Sequence, residues 1–191
     1  MAIGCVVLAS GESVRFGANK LLTEFGGKPM LAHLFAALPP ELSTVVVTRS
    51  EGVQALAQAH GLRCMLHSLP EVRDTIRLGL TALGDTQGCL FCVGDQPLLT
   101  RGTVERVMAL YAQHPGSIVR AAFAGREGNP VLFPPELYPE LLQLAPGESG
   151  VTVIRCHAAQ VRTVEAAFAQ ELTDADTPDT LLALEAFLHN P

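Results

Sequence analysis

Apolar residues along this chain fall into short continuous runs, and these runs alternate with stretches of helical period. The runs Ile3–Leu8, Thr44–Thr48, Leu62–Leu66, Cys89–Val93, Ser117–Ala122, Pro130–Phe133 and Gln160–Val164 predict strands. Most are apolar throughout, as expected of strands covered on both faces. Between them, Pro29–Leu38, Glu51–His60, Arg73–Leu83, Arg101–His114, Pro135–Leu144, Gly150–Cys156 and Pro178–Leu188 predict helices. Pro29, Pro135 and Pro178 stand where a first-turn proline is tolerated, and Thr177 precedes Pro178 as an N-cap. The alternation predicts an α/β fold: a single Rossmann-like domain over residues 1–191, with a mostly parallel sheet and helices on both faces. One segment breaks the rhythm. Gly128–Pro135 is a short strand fenced by prolines, and it is expected to run antiparallel or to lie near an edge.

Composition narrows the function classes. At 48% hydrophobic and 17% charged residues the chain reads as globular and well buried. Its apolar runs are too short to span a bilayer, and the amino-terminal run lacks a basic flank and a cleavage pattern, so a cytoplasmic protein is expected. A net charge of −6 argues against nucleic acid, whose phosphate backbone demands a basic face. A mononucleotide needs only a few local cations, and both lysines, Lys20 and Lys28, lie close to the first glycine-rich loop. The five cysteines are an odd, scattered set and form no disulfide framework. Cys89 and Cys92 match C-x-x-C, but on a strand their sulfurs point to opposite faces, so they read as core thiols.

In open α/β sheets ligands sit at the carboxyl ends of strands, and the chemistry-bearing residues follow strands here. After the first strand comes Leu8-Ala-Ser-Gly-Glu-Ser-Val-Arg-Phe-Gly-Ala-Asn-Lys20. Gly11 and Gly17 let the backbone approach a ligand and present its N–H groups to phosphate. Ser13 can donate, and Arg15 and Lys20 can neutralise a triphosphate. The glycine spacing and Leu21 after Lys20 exclude a P-loop, and no Gly-x-Gly supports a dinucleotide site. The fourth strand ends in Gly94-Asp-Gln-Pro97, which places Asp95 to hold a hard cation with oxygen ligands. Near the carboxyl end, Asp174 and Asp176 are two apart and share a face in extended chain; one or both could complete a Mg²⁺ site across the sheet.

These blocks resemble the molybdenum cofactor nucleotidyltransferases, and within them the cytidylyltransferase (MocA-like) branch. Leu8–Lys20 resembles the signature Leu-Ala-(Ala/Gly)-Gly-x-Ser-x-Arg-x-Gly-x-x-Lys. Asp74–Gly79, Gly94–Leu98, Gly128–Phe133 and Asp174–Asp179 resemble four further blocks in the family's order. The resemblance implies a nucleotide-diphosphosugar-transferase-type fold of the MobA-like kind and a Mg²⁺-dependent reaction. In it the terminal phosphate of a molybdopterin-type acceptor attacks the α-phosphorus of CTP, and pyrophosphate leaves. It assigns nucleotide binding to Leu8, Ala9, Ser10, Gly11, Ser13, Arg15, Lys20, Thr75 and Arg77, catalysis to Arg15, Lys20 and Asp95, and metal binding to Asp95 and Asp176. Asn129 and Asp174 are expected near the acceptor or behind the metal. The chain departs from the pattern in three places: Ser10 stands where the cytidylyl branch has Ala and the guanylyl branch Gly, Asn129 replaces His, and Thr152 replaces Arg. The competing expectations are a guanylyltransferase, an enzyme for a sugar or isoprenoid-precursor phosphate, and a non-catalytic carrier serving a molybdenum hydroxylase client.

Overall fold

The computed structural model describes residues 2–11 and 19–189. The strands are β1 (Gly4–Ala9), β2 (Glu24–Phe25), β3 (Lys28–Pro29), β4 (Ser43–Thr48), β5 (Arg63–Leu66), β6 (Cys89–Val93), β7 (Ile118–Phe123), β8 (Arg126–Phe133) and β9 (Val161–Glu165). The helices are α1 (Met30–Ala37), α2 (Glu51–Ala59), α3 (Val72–Leu83), α4 (Arg101–Gln113), α5 (Tyr138–Leu142), α6 (Gly150–Cys156) and α7 (Pro178–His189). Seven strands form one sheet in the order β5-β4-β1-β6-β8-β7-β9. All neighbouring pairs are parallel except those of β8, which runs antiparallel to both β6 and β7. No helix among the described residues is long and apolar enough to cross a membrane.

The unbroken apolar runs are explained by two cores. Along β1, Cys5, Val7 and Ala9 join the core on one face with α1, α2, α4 and α7, while Val6 joins α3, α5 and α6 on the other. Successive side chains on a strand alternate faces, so a strand buried on both sides carries no polar positions. The same rule separates the C-x-x-C pair. Cys89 lies in the second core, whereas Cys92 lies in the first, with its sulfur 4.0 Å from that of Cys5. The helix α3 presses close on β1: a Cβ added at Gly79 would stand 2.4 Å from a methyl of Val6.

Strand β8 is longer than its apolar run and is an interior strand, not an edge. It begins at Arg126, four residues before Pro130, because Ala124 and Gly125 both adopt positive φ (49° and 80°) and close a two-residue hairpin from β7. Pro130 is tolerated inside the sheet because the β7–β8 register shifts between Arg120 and Ala122, where the ladder lacks regular bonds for a missing N–H to break. The small β2–β3 ribbon is the other element without a strand-like run. Gly26 and Gly27 turn it at φ 52° and 81°.

Candidate active site

Strands β1, β4 and β6 are parallel neighbours, so their carboxyl ends open together at one edge of the sheet. Ser10 and Gly11 follow β1, Arg49 follows β4, and Asp95 follows β6. Together with Thr75 from the first turn of α3 they line a cavity of about 530 Å³. Thr75 is 2% exposed, and its hydroxyl has no hydrogen-bond partner among the described residues. A buried polar atom left unpaired is costly, which marks Thr75 as an unsatisfied donor and acceptor beside the cavity. Leu8 is also in the cavity wall, whereas Ala9, 2% exposed, lines a separate pocket with Gly11, Asn19, Arg49 and Ser50. Arg77 is absent from the wall; it turns to Asp74, 2.8 Å away. Ser13 and Arg15 lie outside the described residues.

Beside this cavity sits a cation bridge. Lys20 starts a short 3-10 turn whose N-cap, Asn19, accepts the backbone N–H of Leu21. Its ammonium, in a residue only 8% exposed, lies 2.7 Å from Asp95 Oδ2 and 2.8 Å from Asp176 Oδ1. Burial lowers the Lys20 pKa, but the hydrogen bonds and charges of Asp176 and Asp95 outweigh it and the net shift is upward. The loop carrying Asp176 is latched to the β6 loop by a backbone bond from Ala175 N–H to the carbonyl of Asp95. Asp174 and Asp176 therefore divide their tasks instead of sharing a face: Asp174 accepts from the Gln96 amide at 2.8 Å, and Asp176 meets Lys20. Burial first, and the charge of Asp95 second, raise the Asp174 pKa.

The donor set fits a hard divalent cation. Two carboxylate oxygens already converge on one positive charge, and Lys20 stands in for it. Among the described residues no group of three or more His, Cys, Asp or Glu side chains is placed to hold a metal ion. A cation here would need phosphate oxygens or water to complete its shell, which is the ordinary condition of Mg²⁺ at nucleotide sites.

A second cavity, of about 200 Å³, adjoins the first and shares Leu8, Val72 and Val93 with it. Its walls are mainly apolar, from β6, β8, α3, α5 and α6, with Arg120, Asn129 and Ser149 as the polar members. Asn129 thus sits here, away from the cation bridge.

Two site residues carried no weight in the sequence reading. Arg49 directs its Nε and Nη2 to the carbonyl of Ser10, at 2.9 and 2.7 Å. Its position just past β4 was the available signal. His67 reaches Ser10 from just beyond β5, and no local pattern distinguishes it from a surface histidine.

The sequence pattern of the MobA-like NTP transferase domain matches residues 5–164, most of the chain. The chain belongs to this family. Among relatives of this MobA-like domain is a bifunctional IspD/IspF enzyme of Rhodospirillum rubrum. It is 32% identical over 133 residues, which cover 64% of this chain and 35% of that protein. The 8-amino-3,8-dideoxy-manno-octulosonate cytidylyltransferase of Shewanella baltica is 30% identical over 129 residues, covering 63% and 52%. The matched stretch thus spans about half or less of these relatives' length. Rv0371c of Mycobacterium tuberculosis H37Rv has the same fold, with a TM-score of 0.83, 22% identity, and coverage of 97% and 98% of the two chains. Asp174 and Asp176 fall beyond the residues matched to the family pattern, yet the fold returns them to Gln96 and Lys20.

Proposed function

We propose that this MobA-like domain is a Mg²⁺-dependent cytidylyltransferase that moves CMP from CTP to the phosphate of a molybdopterin-type acceptor and releases pyrophosphate. The observation that carries this reading is the cation bridge, Lys20 held by Asp95 and Asp176, with Asp95 also lining the cavity of about 530 Å³.

The base lies in the larger cavity beside Ser10 and Thr75, and the triphosphate runs past Gly11 toward Lys20. An oxygen of the acceptor phosphate attacks the α-phosphorus, its bond to the bridging oxygen of pyrophosphate breaks, and the electron pair leaves with pyrophosphate. The acceptor phosphate is already ionised, so no side chain need remove a proton. The work of the protein is positioning and charge neutralisation. Lys20, freed from the carboxylates by the incoming phosphates, offsets the charge that gathers on the leaving group. Asp95 and Asp176 would hold Mg²⁺, which supplies Lewis-acid stabilisation of the phosphoryl oxygens.

The smaller cavity supports an acceptor with a flat ring. Apolar walls formed by residues such as Phe91, Val131 and Ile154 suit ring faces, and Asn129 and Ser149 offer hydrogen bonds to a ring edge. A polyhydroxylated sugar would set hydroxyls against those walls without partners.

The test is pyrophosphate release from each of the four NTPs with Mg²⁺, with and without molybdopterin. Release with CTP that requires molybdopterin is expected. Release that requires a sugar phosphate, or that favours GTP, overturns the reading.

A further inference from the structure

The Ser10 hydroxyl sits in a wired chain of hydrogen bonds. The backbone N–H of Leu69 donates to His67 Nδ1 at 3.2 Å, which makes that nitrogen an acceptor and places the ring proton on Nε2. Nε2 lies 2.8 Å from Ser10 Oγ and therefore donates to it. The Ser10 hydroxyl in turn donates its only proton to the carbonyl of Val47, at 3.1 Å. Arg49 holds the Ser10 carbonyl with two further bonds, so the backbone under this side chain is fixed as well. Burial, and then the charge of Arg49, keep the His67 pKa below its usual range, with Asp74 pulling the other way. The imidazole is accordingly neutral at pH 7, as the chain of donors requires.

A serine hydroxyl has one proton and two lone pairs. Here the proton is taken by Val47 and one lone pair by His67. What Ser10 has left is a single lone pair, and Ser10 lines the larger cavity. We propose that His67 is a positioning residue that fixes Ser10 as an acceptor-only member of the base pocket, selecting a pyrimidine whose edge carries an amino group over one that carries a carbonyl there. Cytosine donates from its exocyclic amine to that lone pair. Uracil sets a carbonyl oxygen against it, and Ser10 satisfies uracil only by giving up the Val47 bond. This inference rests on the CTP reading and deepens it: the polarity of Ser10 is set by a residue 57 positions away.

The experiment is calorimetric binding of CTP and UTP with Mg²⁺ to the wild type, Ser10→Ala and His67→Phe, with thermal unfolding as the control for folding. No acceptor is needed. The wild type is expected to bind CTP at least about tenfold tighter than UTP, within the span one contact set can give. Ser10→Ala should lose most of that ratio by weakening CTP alone. His67→Phe should lower the ratio in the same direction, because Ser10 then keeps one anchor and can rotate to donate. A purely structural role for His67 would weaken both nucleotides equally and leave the ratio where it was. CTP binding with a ratio that neither variant moves overturns the inference and leaves the CTP reading standing. A wild type that binds neither pyrimidine, or binds GTP in preference, overturns both.

Discussion

The two adjoining cavities share an apolar base but differ in the polar groups set into it. The larger one is formed where parallel strands end, and its walls carry two hydroxyl residues, a guanidinium and the carboxylates of Glu71 and Asp95. The smaller one lies over the antiparallel strand β8 and its walls are aliphatic and aromatic, with three polar side chains among them. Parallel strands all deliver their carboxyl ends to one edge, so loop residues from β1, β4 and β6 converge there without long connections. Strand β8 reverses direction and lends the wall alternate residues of the strand itself, Asn129, Val131 and Phe133, instead of a loop beyond a strand end. The ligand wall it offers is made of core-type side chains such as Val131 and Phe133. The contrast teaches a division by topology: strand ends in the parallel half gather loop-borne polar groups, and the antiparallel half supplies mainly apolar walls.

The strongest way to break this comparison is at the cation bridge. Asp95→Asn should lower turnover by about 10²–10³, the scale of removing one preorganised electrostatic group, while leaving acceptor affinity unchanged. Steady-state kinetics with the acceptor varied would show it, and a variant with full activity would remove Asp95 from the chemistry. A smaller effect is expected at Lys20. Lys20→Ala should weaken CTP binding by about tenfold and CMP binding much less, since a point charge is lost where phosphates converge. Equal losses in a calorimetric comparison would move Lys20 away from the triphosphate. The smallest effect probes the other half. Val151 is 47% exposed on the lip of the apolar cavity, and Val151→Asp should raise the acceptor KM several-fold with CTP affinity unchanged. If CTP binding falls instead, the two cavities are one site and the division fails.

The parallel half was legible in the sequence because its information is local. Continuous apolar runs mark the strands, and Asp95 and Lys20 each sit within a few residues of a strand end or a glycine. Much of the antiparallel half was not legible. The interior position of β8 depends on a hairpin at Ala124–Gly125 that lacks the usual Asn-Gly or Gly-Gly, and on a register shift that accommodates Pro130. The division between Asp174 and Asp176 was also hidden, because a period-two argument assumes extended chain. There the backbone folds back, with Asp176 N–H bonded to the Asp174 carbonyl. His67 and Arg49 had no motif to announce them, since each acts on Ser10 across the sheet edge and not along the chain.

The cation bridge also sets a schedule. Lys20 is separated from Asp95 by 75 residues and from Asp176 by 156. A ribosome adds about 5–20 residues per second, so Asp176 is made roughly 8–30 s after Lys20. For about the second half of that interval Lys20 and Asp95 have both been made, but the carboxylate that closes the bridge has not. Asp176 acts as a completion mark: the bridge closes only once the loop before α7 has been made and folded back onto the β6 loop.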